Sequence, residues 1–130
     1  MACQRLWQAG GRRAAGARVI KVERLGGGDF ARSYDEVVKG QSTFFTWANR
    51  GKESVRINIM EPEGGNLFLR LIYQADVFFQ NLSPSSLKKH GLDSSTFRSN
   101  NPRLITCDIS GYGEESEYAG MRAYDNQVQD

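Results

Sequence analysis

The chain has 130 residues, 39% of them hydrophobic and 25% charged, with a net charge of +2. That describes one domain or part of one, with apolar residues enough for a modest core. So small a charge demands neither a nucleic acid nor a membrane surface as partner, no apolar run approaches the ~20 residues of a bilayer span, and the two cysteines, Cys3 and Cys107, make no disulfide framework.

A reducing, cytoplasmic setting is the default for such a chain. Residues 1–18 hold four arginines and no acid. Arg-rich, acid-free starts occur in transit peptides, but serine is absent here and the segment is short, so targeting is not expected.

Arg18 to Glu23 sets Val19, Ile20 and Val22 among polar neighbours and reads as a strand. Gly26-Gly27-Gly28 ends it in a loop. Glu23, at the strand end, has two readings. It could meet a ribose hydroxyl, as in dinucleotide folds, or it could be a solvated charge at a loop entrance. No G-x-G-x-x-G precedes the strand, so the second reading is preferred and a nicotinamide module has weak support. Arg24 could grip a phosphate through its planar fork.

Residues 30–41 read as an irregular loop. Thr43 to Asn49 predicts a short helix burying Phe44, Phe45 and Trp47, since aromatic clusters usually sit in a core. Arg50-Gly51-Lys52 turns the chain into Ser54 to Ile59, which alternates Val55, Ile57 and Ile59 with polar residues and predicts a half-buried strand. Glu61-Pro62-Glu63-Gly64 opens a helix, with proline tolerated in its first turn and acids suited to its dipole. Its apolar face is Leu67, Phe68, Leu71, Ile72 and Ala75. Asp76 to Gln80 is the next strand, completing a predicted βαβ unit.

Pro84 starts a short helix through Lys89, stopped by Gly91. Asp93 caps another through Ser99, and Asn100-Asn101-Pro102 breaks it. Leu104 to Ile109 then reads as a buried strand, with Cys107 as a small hydrophobe within it. It runs into Ser110-Gly111-Tyr112-Gly113, whose glycines allow close approach of backbone to a ligand. Ligands of open parallel sheets sit beyond the carboxyl ends of the strands, so this exit is read as one wall of a site. The alternation of strands and helices predicts an α/β, Rossmann-like three-layer domain with a mostly parallel sheet. Neither end of the chain has the look of a domain edge, so an incomplete part of a larger fold is expected.

Several segments, taken in order, resemble the family III CoA-transferases and the related α-methylacyl-CoA racemases. They are residues 16–24 (GARVIKVER), Gly27-Gly28-Asp29, residues 49–54 (NRGKES), Ala75-Asp76-Val77, residues 80–84 (QNLSP), residues 101–105 (NPRLI), Ser110-Gly111-Tyr112-Gly113 and Tyr124-Asp125. The resemblance covers residues 15–130 as part of the family's Rossmann-like domain and leaves 1–14 unmatched. It implies an enzyme that moves CoA between an acyl-CoA and a carboxylic acid, with CoA as carrier and no metal.

By position, the resemblance implies that Arg24, Ile57, Asn81, Leu82, Ser86, Lys89 and Arg122 line the coenzyme site, and that Tyr124 and Asp125 border the acyl group. Arginine and lysine suit the phosphates of CoA, because charge-assisted hydrogen bonds are the strong kind. The racemase branch typically has histidine where Tyr124 stands, which favours a transferase over a racemase-type isomerase. His90 lies elsewhere and reads as a helix-end residue. Three departures stand out: the stretch before Ala15 lacks the family's glutamine-bearing loop, Met60 stands where relatives often carry lysine, and the nucleophilic aspartate lies downstream of Asp130. The alternative to an active transferase is therefore a truncated, non-catalytic family remnant. The resemblance implies a homodimer in the family; for this chain the oligomeric state stays open, and exposed apolar surface with poor solubility or self-association is expected.

Overall fold

The computed structural model describes residues 16–82, 84–109 and 117–118, with the backbone alone for 84–86. Its elements run β1 (Ile20–Glu23), a 3-10 turn (Phe30–Ser33), α1 (Thr43–Ala48), β2 (Glu53–Arg56), α2 (Pro62–Tyr73), β3 (Val77–Gln80), α3 (Pro84–Lys89), α4 (Ser94–Asn100) and β4 (Ile105–Asp108). The class is α/β, and every named strand pairs in parallel. The chain divides into two compact units, Met1–Asn58 and Ile59–Asp130.

In the N-terminal unit β1 pairs with β2, Ile20 opposite Glu53 and Glu23 opposite Arg56. The Ile57 N–H still reaches Glu23 O at 2.9 Å, but β1 stops at the loop that begins with Arg24, so the pairing of β2 with β1 ends there. This is why the strand is shorter than the sequence pattern suggests. Helix α1 starts at Ser42, whose Oγ accepts the Phe45 N–H at 3.2 Å, the usual N-cap role of serine.

The expected burial of the α1 aromatics holds only in part. Phe44 and Phe45 are half-buried, and Trp47 is 60% exposed. A six-residue helix has room for few inward positions, and here the interior belongs to Ala48. Among the described residues of this unit the buried side chains are those of Glu23, Ala31, Ser42, Ala48 and Ile57.

In the C-terminal unit β3 pairs with β4, Val77 opposite Ile105 and Gln80 opposite Asp108. The crossovers made by hydrogen bonding are thus β1 to β2 and β3 to β4, where the sequence pattern suggests β2 to β3 through α2. Pro62 occupies the first turn of α2 as expected. Phe68 and Ile72 are buried on it, while Leu67 is half-exposed. At about 100° per residue, Leu67 falls on the margin of a stripe centred near Phe68 and Ile72.

The core of this unit is Phe68, Ile72, Phe78, Leu87, Leu92, Phe97 and Leu104. Phe68, Phe78 and Phe97 meet pairwise edge-to-face, with centroids 5.9, 6.1 and 5.3 Å apart, a favoured aromatic geometry. Strand β4 is less buried than its apolar sequence suggests: Ile105 is 64% exposed and Cys107 is half-buried. Leu104, just before the strand, takes the core position instead.

Candidate functional site

The carboxyl end of β1 is organised by one carboxylate. Glu23 Oε1 accepts from Arg32 Nη2 at 2.9 Å and Ser54 Oγ at 2.8 Å. Its Oε2 accepts from Arg32 Nε and from the Asp29 N–H, both at 2.9 Å. The Glu23 side chain is 1% exposed. Burial pushes its acid strength down, but the Arg32 fork, the Asp29 N–H, Ser54 and the Lys21 charge outweigh it and bring the pKa down to about 2. A carboxylate so occupied is unavailable to a ribose. It is not a solvated charge either, so both sequence readings of Glu23 are corrected.

This arrangement closes the Arg24–Asp29 loop beneath Arg24. Gly28 has φ +70°, and a Cβ there would lie 2.5 Å from Glu23 Oε2, so glycine is required on both counts. Arg24 Nε donates to Gly28 O at 2.8 Å, and its guanidinium stacks on Phe30 at 3.9 Å from the ring centroid. Arg56 Nη1 holds the same loop through Gly26 O at 3.2 Å. Arg24 is therefore fixed in direction while remaining exposed. Ile57 follows β2 on the same end of this sheet, but its side chain is buried; it can offer backbone or a small apolar edge, not a broad wall.

In the C-terminal unit, Asn81 and Leu82 leave the carboxyl end of β3. Leu82 N–H donates to Gln80 Oε1 at 2.6 Å, and Gln80 Nε2 donates to Asp108 Oδ1 at 2.5 Å across the β3–β4 pair. Ser94 Oγ donates to the same Asp108 oxygen at 2.6 Å. The turn that presents Asn81 and Leu82 is thus tied to both strands. Asn81 is half-buried and Leu82 exposed. Lys89 is the exposed last residue of α3. The side chain of Ser86 lies outside the described residues, as do Arg122, Tyr124, Asp125 and the Ser110–Gly113 exit.

A hollow in this unit, of about 240 Å³, opens at the start of α2 between Met60, Glu61, Pro62, Asn66, His90 and Leu92. His90 is exposed and follows α3, its N–H on Leu87 O at 3.0 Å, so it is a helix-end residue as read from the sequence. Among the described residues no group of three His, Cys, Asp or Glu could hold a metal ion, and no helix is long and apolar enough to cross a membrane.

Arg24, Ile57, Asn81 and Leu82 thus follow the carboxyl ends of their strands, the end at which parallel sheets generally bind ligands. Sequence reasoning missed the Glu23–Arg32–Ser54 anchor. The signal for it is the polar alternation Lys21, Glu23 on one strand and Ser54, Arg56 on the other, which puts four polar side chains on one face once the strands pair in parallel.

Comparison with known proteins gives the family. The family model for CoA-transferase family III matches residues 14–130. The chain is 39% identical over 114 residues to an acetyl-CoA:oxalate CoA-transferase of Acetobacter aceti, covering 88% of this chain and 29% of that protein. It is 40% identical over 121 residues to a succinate–glutarate CoA-transferase of Agrobacterium fabrum, covering 88% and 30%. A crystal structure of a CaiB/BaiF family protein from Brucella suis superposes with a TM-score of 0.86 at 35% identity, over 95% of this chain and 34% of that one. The chain spans about a third or less of the length of these relatives. With the matched residues running through both units, the chain belongs to CoA-transferase family III.

Proposed function

We propose that residues 15–130 form part of the coenzyme-binding wall of a CoA-transferase that moves CoA between an acyl-CoA and a carboxylic acid. In such an exchange a carboxylate attacks the thioester carbonyl, the C–S bond breaks, and an aspartyl anhydride carries the acyl group while CoA leaves as thiolate. None of these 130 residues is assigned the nucleophile's role. Their contribution is to hold the polyanionic carrier, through Arg24, Asn81, Leu82, Lys89 and Arg122, with Ile57 and Ser86 beside them and Tyr124 and Asp125 near the acyl group. A cytoplasmic setting and a homodimer belong to the same proposal.

The observation that carries it is Arg24. The guanidinium is braced by Gly28 O and by Phe30, so its ordering cost is met before a phosphate arrives. Isothermal titration of the chain with CoA tests the reading. Arg24→Ala is expected to weaken binding by about 10- to 100-fold, the weight of a charge-assisted hydrogen bond. CoA affinity unchanged by both Arg24→Ala and Lys89→Ala overturns it. Acyl exchange by the chain alone would exclude the non-catalytic alternative.

A further inference from the structure

The loop after β1 is held by two arginines, and the coenzyme reading above uses only one of them. Arg24 Nε donates to Gly28 O at 2.8 Å, and Arg56 Nη1 donates to Gly26 O at 3.2 Å. These carbonyls lie either side of Gly27, which is exposed, and a Cβ placed on Gly27 would meet Arg24 Nη2 at 4.0 Å. Both guanidiniums are therefore tied to one three-residue stretch. Register puts Arg56 there: it stands opposite Glu23 at the carboxyl end of β2, and Arg24 is the residue after Glu23. Each arginine is exposed and spends one of its five N–H groups on the loop. Among the described residues the other N–H groups of the two have no hydrogen-bond partner. The acids around them are taken. Glu23 is paired with Arg32, Asp29 with Lys21, and Glu53, at the other end of β2, with Arg18. Among the described residues neither Arg24 nor Arg56 has a carboxylate partner. Two positive charges tethered to one short loop favour an anion there.

We propose that Arg56 is a second coenzyme-binding arginine, and that with Arg24 it forms a phosphomonoester site on the Gly26-Gly27-Gly28 loop, taken by the 3′-phosphate of CoA. The proposal rests on the CoA reading above. A phosphomonoester carries about −1.5 to −2 charges at neutral pH and three acceptor oxygens. That matches two guanidinium forks, whereas each phosphorus of the pyrophosphate bridge carries a single charge. Arginine suits the role better than lysine, because its planar fork meets two phosphate oxygens at once. Gly27 has no side chain to stand between the loop and the anion.

The first arm of the test needs no variant. The full chain is titrated calorimetrically with CoA, with 3′-dephospho-CoA and with inorganic phosphate. CoA is expected to bind at least about tenfold tighter than dephospho-CoA, the weight of charge-assisted hydrogen bonds. Equal affinity for the two overturns the proposal. Inorganic phosphate bound as tightly as CoA would mean a site for the free ion, and overturns it too. Arg56→Gln should then remove most of the difference: CoA weakens about tenfold, while dephospho-CoA changes less than about twofold. Arg56→Lys keeps the charge without the fork and should recover part of the loss. CoA affinity in Arg56→Gln should also fall less steeply with added salt than in the wild type, since one charge fewer meets the ligand. Both ligands weakened alike by Arg56→Gln would make Arg56 a brace for Arg24 alone, which overturns the proposal. If Arg24→Ala weakens CoA binding while Arg56→Gln leaves CoA unchanged, the proposal falls and the coenzyme reading stands. If Arg24→Ala, Lys89→Ala and Arg56→Gln all leave CoA affinity unchanged, both fall.

Discussion

The two units use the same element, a pair of short parallel strands, and hold it in opposite ways. In the N-terminal unit the buried set is Glu23, Ala31, Ser42, Ala48 and Ile57, with a carboxylate at the centre and alanines around it. In the C-terminal unit it is three phenylalanines, three leucines and an isoleucine, beside Ser94. The first arrangement is directional: four hydrogen bonds fix the Glu23 carboxylate and with it the loop that aims Arg24. The second is non-directional and scales with apolar area. If Arg24 grips the coenzyme as proposed, its loop is better set by hydrogen bonds, which specify angles, than by packing.

The sharpest way to break the comparison is in the aromatic core. Phe97 is 2% exposed and touches both Phe68 and Phe78. Phe97→Ala removes two edge-to-face contacts and leaves a cavity, at an expected cost of about 3–5 kcal/mol. Chemical denaturation and loss of exchange protection in the β3 and β4 amides measure it. A loss under about 1 kcal/mol would show that this core rearranges freely around the gap.

That core was legible in the sequence only in part. Periodicity marked Phe68 and Ile72 on α2 and the apolar run marked Leu104, whereas Leu87, Leu92 and Phe97 lie in or beside helices too short to show a period. The order of elements was legible too, since Pro62, Pro84, Gly91, Asp93 and Pro102 punctuate the chain by their own backbone chemistry. Trp47 was not. A helix as short as α1 gives no period to measure, and residue type alone put Trp47 inside. The Glu23 anchor was hidden for a different reason. Its partners Asp29, Arg32 and Ser54 come from a loop, a 3-10 turn and a strand 31 residues away, and only the register of β1 on β2 brings them to one carboxylate.

The next largest effect is expected at that carboxylate. Glu23→Gln keeps the shape, yet whichever oxygen becomes NH2 then faces two donors, since each oxygen of Glu23 accepts two bonds. The half-solvated Arg32 softens the penalty, so a cost of about 2–3 kcal/mol is expected. Exchange protection of the β1 and β2 amides should fall, and CoA affinity should fall with it as Arg24 loses its brace. Weaker CoA binding with no loss of protection would place Glu23 in the ligand site rather than beneath it. Gly28→Ala attacks the same anchor from the backbone. The positive φ and the 2.5 Å approach to Glu23 Oε2 predict a smaller cost of about 1–2 kcal/mol, read in the same way.

The smallest effect sharpens the contrast by acidity, because the packed unit also has a hydrogen-bonded carboxylate with a lowered pKa. Asp93 caps α4. It accepts from the Ser95 hydroxyl, from the Thr96 N–H at 3.0 Å and from the Thr96 hydroxyl at 2.8 Å. The Ser95 hydroxyl and then the Thr96 N–H hold its pKa down at about 2. The folded value lies below the unfolded one, so its contribution is complete above the ordinary aspartate value, near 4. It is lost as pH falls through about 2. Glu23 titrates with the same sign and the same lower limit, so the acid limb of wild-type stability contains both groups. Asp93→Ala should cost about 1 kcal/mol at neutral pH. Asp93→Asn should cost only a few tenths there, since asparagine caps as well, and should flatten the acid dependence of the α4 amides while leaving that of the β1–β2 amides, which belongs to Glu23. An acid limb unchanged at α4 in Asp93→Asn would mean that the cap holds through its neutral form, and that only the N-terminal unit is built on charge.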